Sequence, residues 1–339
     1  MNQVWDLHCD TLSNLRHAEQ EQGRDVAAEF CAGVPDGQID LPRLRAGGYL
    51  RQCFACVVNL ADPNVPLRTA MEEIDLFERL LAACPALAPV RTPADLAALL
   101  PGGAAAGRIG AMLTVEEGAV CLDSLPVLRD LYRMGVRMMT LTWNHKNGLA
   151  SPNAVPGDPA TVWPCAANTT DGLTEKGRAF LAEMERLHLL VDVSHLSDAG
   201  FWDVAHAAAR PFVASHSNAR ALCGHVRNLT DEMIRAMGER GCLVGLNYCA
   251  SFVDANPDRT RLKSRICDIA RHARHLTDLG GEDLLALGSD FDGIEGDLEL
   301  AGAADLPRLA DGLAKAGFHE RQIEKIFWRN AYDFFSANL

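Results

Sequence analysis

A histidine and an aspartate, His8 and Asp10, close the short, largely apolar stretch Val-Trp-Asp-Leu that begins at Val4. In an extended chain, residues two apart share a face. The imidazole and the carboxylate can therefore converge at the carboxyl end of a strand. Such a pair suits a divalent transition metal such as zinc. His-x-Asp alone is a weak signal, and it gains weight from later residues of matching type. Glu116 or Glu117 follows the apolar run 109–115, His195 follows 189–194, His216 follows 211–215, and Asp290 with Asp292 follows 284–288.

Each of these has a plain structural reading. His195 could be a hydrogen-bonded core histidine, Asp290 and Asp292 turn residues before Gly293, and Glu116 a helix cap. Taken together, three histidines and three carboxylates at the tips of apolar runs are costly to bury without compensation. A metal site supplies it. Three histidines and two carboxylates exceed what one tetrahedral zinc takes. They suit two metals about 3.5–4 Å apart sharing a carboxylate, a role that the two oxygens of a glutamate, Glu116 or Glu117, can fill. Asp290 then remains to orient a water or carry its proton.

The elements that must position these groups alternate. Strands are predicted from near Val4, Gln52, Ile109, Val136, Leu189, Phe212, Leu243 and Leu285. Helices are predicted over 41–47, 66–83, 93–100, 124–134, 174–187, 198–209, 230–240 and 261–279, with two more over 306–316 and 320–335. Residues 13–40 and 144–171 read as long polar loops at the rim. Eight strands alternating with helices predict an α/β fold, a (β/α)8 TIM-like barrel of the metal-dependent hydrolase type, as one domain over residues 1–339 with C-terminal helices. A doubly wound open sheet is the alternative, but no glycine-rich phosphate fingerprint follows the first strand.

The 339 residues carry a net charge of −13 and are 48% hydrophobic. A nucleic-acid partner, which needs a basic face, is not expected. There is no apolar run near the ~20 residues of a membrane span. The N-terminus Met-Asn-Gln-Val-Trp-Asp lacks the basic-then-apolar pattern of a secretory signal. The 11 cysteines have no repeating spacing. Cys53-Phe-Ala-Cys56 is formally Cys-x-x-Cys, but it lies in an apolar run with no second pair. These features predict free thiols in a reducing compartment and a cytoplasmic protein with no membrane partner.

The ordered set Asp6-Leu-His8-Cys-Asp10, Val115-Glu-Glu-Gly118, Leu141-Thr-Trp-Asn144, Asp192-Val-Ser-His195, Ser215-His-Ser-Asn-Ala219, Arg227-Asn228 and Gly288-Ser-Asp-Phe-Asp-Gly293 resembles the membrane (renal) dipeptidase family of zinc peptidases. The resemblance spans nearly the whole chain. It implies a barrel enzyme holding two Zn2+ that hydrolyses dipeptides with a metal-activated hydroxide, and it suggests a homodimer. His8 and Asp10 would bind one zinc, Glu116 would bridge, and His195 and His216 would bind the other. Asp290 would be the catalytic acid/base and Arg227 the grip on the substrate carboxylate, a task suited to a bidentate guanidinium.

This chain departs from the family pattern at three points. Glu117 stands where the family has glycine, and it remains a rival to Glu116. Trp143 stands where a substrate-binding histidine is usual, which leaves His145 as the candidate to take over that contact. Mammalian members are exported and lipid-anchored, and neither signal is seen here. The alternatives are a related two-metal barrel hydrolase acting on another amide or a lactam, and an idle metal-binding scaffold. His17, His188, His206, His225, His272, His275 and His319 read as surface or supporting residues.

Overall fold

The structure, a computed structural model, describes residues 3–153 and 166–339. Eight parallel strands form the barrel: β1 Val4–Asp6, β2 Tyr49–Val57, β3 Ile109–Glu116, β4 Val136–Thr140, β5 Leu190–Asp192, β6 Val213–Ala214, β7 Leu243–Leu246 and β8 Leu285–Leu287. Each pairs with the next, and Asp6 of β1 pairs with Leu287 of β8 to close the ring. A short outer strand, Leu87–Pro89, lies along the start of β3, before β4 takes over that edge from Leu113 onward. All eight strand positions were legible in the sequence. The parallel register matters because it sends every carboxyl end to one mouth.

One buried residue from each strand, Trp5, Cys53, Met112, Met138, Leu190, Val213, Leu243 and Ala286, joins a single apolar cluster with Trp328, Phe334 and Phe335. Side chains from all eight strands can meet only inside the barrel, so this is its lower interior layer, and the C-terminal helix Asn330–Asn338 plugs it from below. Trp5 stacks on Phe335 with ring centroids 4.8 Å apart. Counting by two from this layer toward the mouth gives Thr114 and Glu116 on β3 and Asp192 on β5. The interior therefore turns from apolar to polar as the strands end. The same period separates the two cysteines of the Cys-x-x-Cys pattern. Cys53 joins the inner cluster and Cys56 the outer one, between sheet and helices, so the pair cannot chelate one ion.

Two expectations are corrected. The predicted polar loop over 13–40 holds two helices, Thr11–Gln22 and Val26–Ala32. Their buried stripes are thin: Leu12, Leu15 and Ala18 in the first, Val26 and Phe30 in the second. Charged residues on the other faces mask them. Gly23 ends the first helix in the left-handed conformation, and the Asp25 carboxylate caps the second by accepting from the Ala28 amide. The picture of free thiols fails at one pair, because Cys31 and Cys84 form a disulfide. Eight other cysteines are free among the described residues. The middle of the predicted loop 144–171 lies outside the described residues. No helix among those described is long and apolar enough to cross a membrane.

Candidate metal centre

β1 and β8 are tied beyond their last strand residues. The Asp10 amide donates to the Phe291 carbonyl at 2.9 Å, and the Asp290 amide to the His8 carbonyl at 3.3 Å. Asp290 and Asp292 both adopt positive φ, 65° and 67°. Aspartate tolerates this left-handed conformation better than most residues, at a cost of roughly 1–2 kcal/mol each. The cost is incurred where the chain must aim the Asp290 carboxylate into the mouth. Asp292 turns away from it, accepting from the Thr11 hydroxyl at 2.6 Å and the Gln38 amide at 2.8 Å. It pins the rim rather than the site.

The structure brings six of the predicted residues to one point. His8 Nε2 lies 3.0 Å from Asp10 Oδ1, 3.5 Å from Glu116 Oε2 and 3.7 Å from Asp290 Oδ1. Glu116 Oε1 lies 2.9 Å from His195 Nε2 and 3.2 Å from His216 Nε2. The two oxygens of one buried carboxylate thus face two different groups of side chains. The far ring nitrogens are engaged elsewhere: His195 Nδ1 meets Asn144 Oδ1 at 3.0 Å, and His216 Nδ1 meets Ser215 Oγ at 2.8 Å. An Asn144 carbonyl oxygen can only accept, so His195 carries its proton on Nδ1 and presents a bare Nε2. The Nε2 atoms of His195 and His216 sit 3.0 Å apart, and among the described residues Glu116 Oε1 is buried with no hydrogen-bond donor. Acceptors crowded in this way fit a cation.

Electrostatics agree. Burial works against charge on Glu116, but the charge on His8 outweighs it and holds the carboxyl well below its usual range. Burial likewise opposes charge on His8, but Glu116 and Asp10 outweigh it and hold that imidazole well above its usual value. Burial pushes Asp10 up to about 6 and, with Asp10 adding to the effect, Asp290 up to about 7. Burial, aided by Arg227, pulls His195 down to about 4. His216 is also held low by burial and by His8. One half of the cluster thus favours protonated groups, while the other keeps two neutral imidazoles, the form that binds metal.

The other candidates separate. Glu117 is occupied by the loop beyond β4: it accepts from the Ala119 amide at 2.7 Å, the Trp143 amide at 2.9 Å and the Asn147 side-chain amide. It does so at φ 152°, a backbone conformation that favours glycine. Arg227 is buried in the site. Its Nη2 lies 3.0 Å from His195 Nε2, its Nη1 donates to the Ser194 carbonyl, and its Nε has no partner among the described residues. His145 is half-buried, its ring 6.4 Å from that of Trp143, which in turn lies 6.1 Å from the His195 ring. Tyr248 is buried edge-on against Phe291.

Some contributors were missed in the sequence. Asn247, just past β7, donates from Nδ2 to Asp290 Oδ2 at 3.0 Å and is itself held by Asn218. It carries the same signal as the ligands, a polar residue directly after an apolar run. Gly245 and Gly288 are needed for close approach: a Cβ at either would lie 1.9 Å from the Ser215 carbonyl oxygen. Among the supporting histidines, His272 is fully buried. Its Nδ1 accepts from the Ala219 amide at 3.1 Å and its Nε2 donates to the Val253 carbonyl at 3.2 Å.

Burial, with Arg271 and His275 adding, lowers the His272 pKa from 6.5 to about 4. The unfolded chain then binds more protons between those values, so stability contributed by neutral His272 is full above pH 6.5 and is lost as pH falls toward 4. The expected size is roughly 3 kcal/mol. His272→Gln is expected to flatten urea-unfolding stability against pH over that window by this amount. A difference curve with no slope there would contradict the assignment.

A parallel barrel whose mouth gathers histidines and carboxylates around a shared glutamate defines a metal-dependent hydrolase architecture. The chain belongs to the membrane dipeptidase family, peptidase family M19, whose pattern it matches over residues 2–337. It is 39% identical over 228 residues to a Klebsiella pneumoniae protein described as uncharacterized in the pqqA 5' region, covering 66% of this chain and 80% of that one. Over 266 residues it is 32% identical to the dipeptidase aclJ of Aspergillus oryzae, covering 76% of this chain and 60% of that protein. Among solved structures, a metallopeptidase from Rhodobacter sphaeroides bound to a phosphinate mimic of the dipeptide L-Ala-D-Ala superposes with TM-score 0.89 at 27% identity, over 100% of this chain and 99% of that one. Dipeptidase AC, a metallopeptidase of family M19, gives 0.88 at 28%, over 99% and 98%.

Proposed function

We propose that this protein is a dipeptidase that uses two zinc ions. His8 and Asp10 would hold one ion, His195 and His216 the other, and Glu116 both. The observation that carries this reading is the division of Glu116, one oxygen toward His8 and the other toward the His195–His216 pair. When bound, the ions would supply an acidic water and neutralise charge developing on the scissile carbonyl.

The remaining chemistry belongs to the side chains. Asp290, fixed through Oδ2 by Asn247, keeps Oδ1 free to take a proton from the attacking water and return it to the departing amine. The peptide bond breaks between carbonyl carbon and nitrogen. The water supplies one carboxylate oxygen, and both of its protons, one of them by way of Asp290, end on the departing nitrogen, which leaves as the ammonium. Arg227 is the group for the substrate's terminal carboxylate, since its buried Nε has no partner among the described residues. A grip so near the reacting centre restricts substrates to very short peptides. His145 is assigned to the substrate side of the loop after β4. We take residues 1–339 as one catalytic domain.

A cytoplasmic location is proposed from the eight free thiols, against which stands the Cys31–Cys84 bond, of a kind oxidising compartments preserve. Cell fractionation decides between the two.

The relative solved with an L-Ala-D-Ala mimic makes a D-residue at the C-terminal position the first substrate to try. Purified protein given zinc is expected to cleave L-Ala-L-Ala or L-Ala-D-Ala, to stop after chelation and to recover on zinc addition. Faster cleavage of cyclic amides or lactams than of any dipeptide would replace this reading with the alternative hydrolase.

A further inference from the structure

We propose that Asp192 is a positioning residue for His216: acting through the Ser215 hydroxyl, it fixes the imidazole in its Nδ1–H tautomer and so leaves Nε2 bare for a cation. The inference rests on the reading of His216 as a metal ligand, but its first test needs no metal.

Asp192 ends β5 inside the barrel, beneath the mouth, and is 2% exposed. It acts only as an acceptor. Oδ1 receives the Ser194 amide at 3.0 Å, the Ser215 amide at 3.0 Å and the Ser194 hydroxyl at 2.7 Å. Oδ2 receives the Thr140 hydroxyl at 3.2 Å and the Ser215 hydroxyl.

A hydroxyl has one proton to give. Ser215 gives its proton to Asp192, so toward His216 Nδ1, at 2.8 Å, its oxygen can only accept. The imidazole must then carry its proton on Nδ1. The nearest rival donor is also committed. Ser194 Oγ lies 3.1 Å from Ser215 Oγ, but it gives its proton to Asp192 and accepts from the His216 amide at 3.2 Å. Asp6, the corresponding buried carboxylate behind the first half, plays no such part. It accepts from the backbone amide of His8 at 3.3 Å and from that of Ser289 at 2.9 Å.

Asp192→Asn separates the relay from simple packing. Two backbone amides face Oδ1, so the substituted side chain must keep its oxygen there and place its NH2 toward Ser215. That NH2 donates to Ser215 Oγ, and the hydroxyl proton turns to His216 Nδ1. The ring then shifts to the Nε2–H form, which cannot bind a metal until it is reversed.

Nitrogen–proton correlation spectra of metal-free protein carrying 15N-histidine, with the His216 signal assigned by its loss in His216→Gln, are expected to show protonated Nδ1 in the wild type and protonated Nε2 in Asp192→Asn. Zinc affinity, measured by competition with a chromophoric chelator, is expected to fall roughly 10–100-fold. Ser215→Ala, which removes one hydroxyl and leaves Asp192 in place, is expected to weaken zinc similarly, and it serves if Asp192→Asn does not fold. Unchanged His216 protonation and unchanged zinc affinity in these variants would overturn the relay. A wild type that bound no zinc, but whose tautomer still switched in Asp192→Asn, would support the relay and overturn only the metal reading.

Discussion

Glu116→Gln is expected to leave a folded barrel that neither binds zinc tightly nor cleaves dipeptides. The carboxylate is the one group that faces both ligand sets. An amide of the same shape cannot serve both. Its NH2 would donate to the bare Nε2 atoms of His195 and His216, filling the space a cation would take. A metal acting as Lewis acid contributes several kcal/mol to the transition state. At 1.36 kcal/mol per factor of ten, losing about 4 kcal/mol lowers kcat/KM by roughly 10³. Thermal melts separate this from misfolding. The metal-free variant should still unfold cooperatively, at a temperature below the wild type, because the buried charged His8 has lost a partner. Zinc at about 100 times its Kd should stabilise the wild type by about 2.7 kcal/mol and the variant hardly at all. A variant that was still stabilised by zinc to the wild-type extent would show that Glu116 is not the shared ligand.

Asp290→Asn is the second large effect, and it should differ in kind. The amide oxygen at that position can still accept from Asn247, and the ligand sets around Glu116 are untouched. Zinc content should therefore stay near wild type, and KM should move by only a few fold. The lost function is proton transfer, whose removal lowers kcat by roughly 10²–10⁴. Full hydrolysis with full metal would reassign the proton carrier. Loss of metal together with activity would make Asp290 a ligand instead, in line with its place beside His8 and Asp10.

How far the sequence could be read follows from which forces leave a local trace. Strand ends were legible because an apolar run followed by a histidine or carboxylate breaks a pattern that burial otherwise enforces. His8, Glu116, His195, His216 and Asp290 all stand at such breaks, and the structure brings all five together. Asn247 stands at one too and was passed over because an amide carries no charge to account for.

Asp192 left no such mark. It interrupts the apolar run 189–193 and reads as part of a strand, while its partners are Thr140, which ends one neighbouring strand, and Ser215, which directly follows the other. That relay exists only once the register is set. The helices Thr11–Gln22 and Val26–Ala32 were hidden by their charged outer faces. The Cys31–Cys84 bond was hidden with them, since 53 residues separate the two and only the second helix brings Cys31 near the end of Pro66–Ala83. Glu117 was ambiguous by adjacency alone. What distinguishes it is the loop it holds, which spacing cannot show.

The proposed function stands or falls on one carboxylate joining two cations. Anomalous diffraction from a crystal grown with zinc tests it directly. Two peaks about 3.5–4 Å apart are expected, one beside His8 and Asp10 and one beside His195 and His216, with an oxygen of Glu116 on each. A single peak, or two peaks that do not share Glu116, would contradict it.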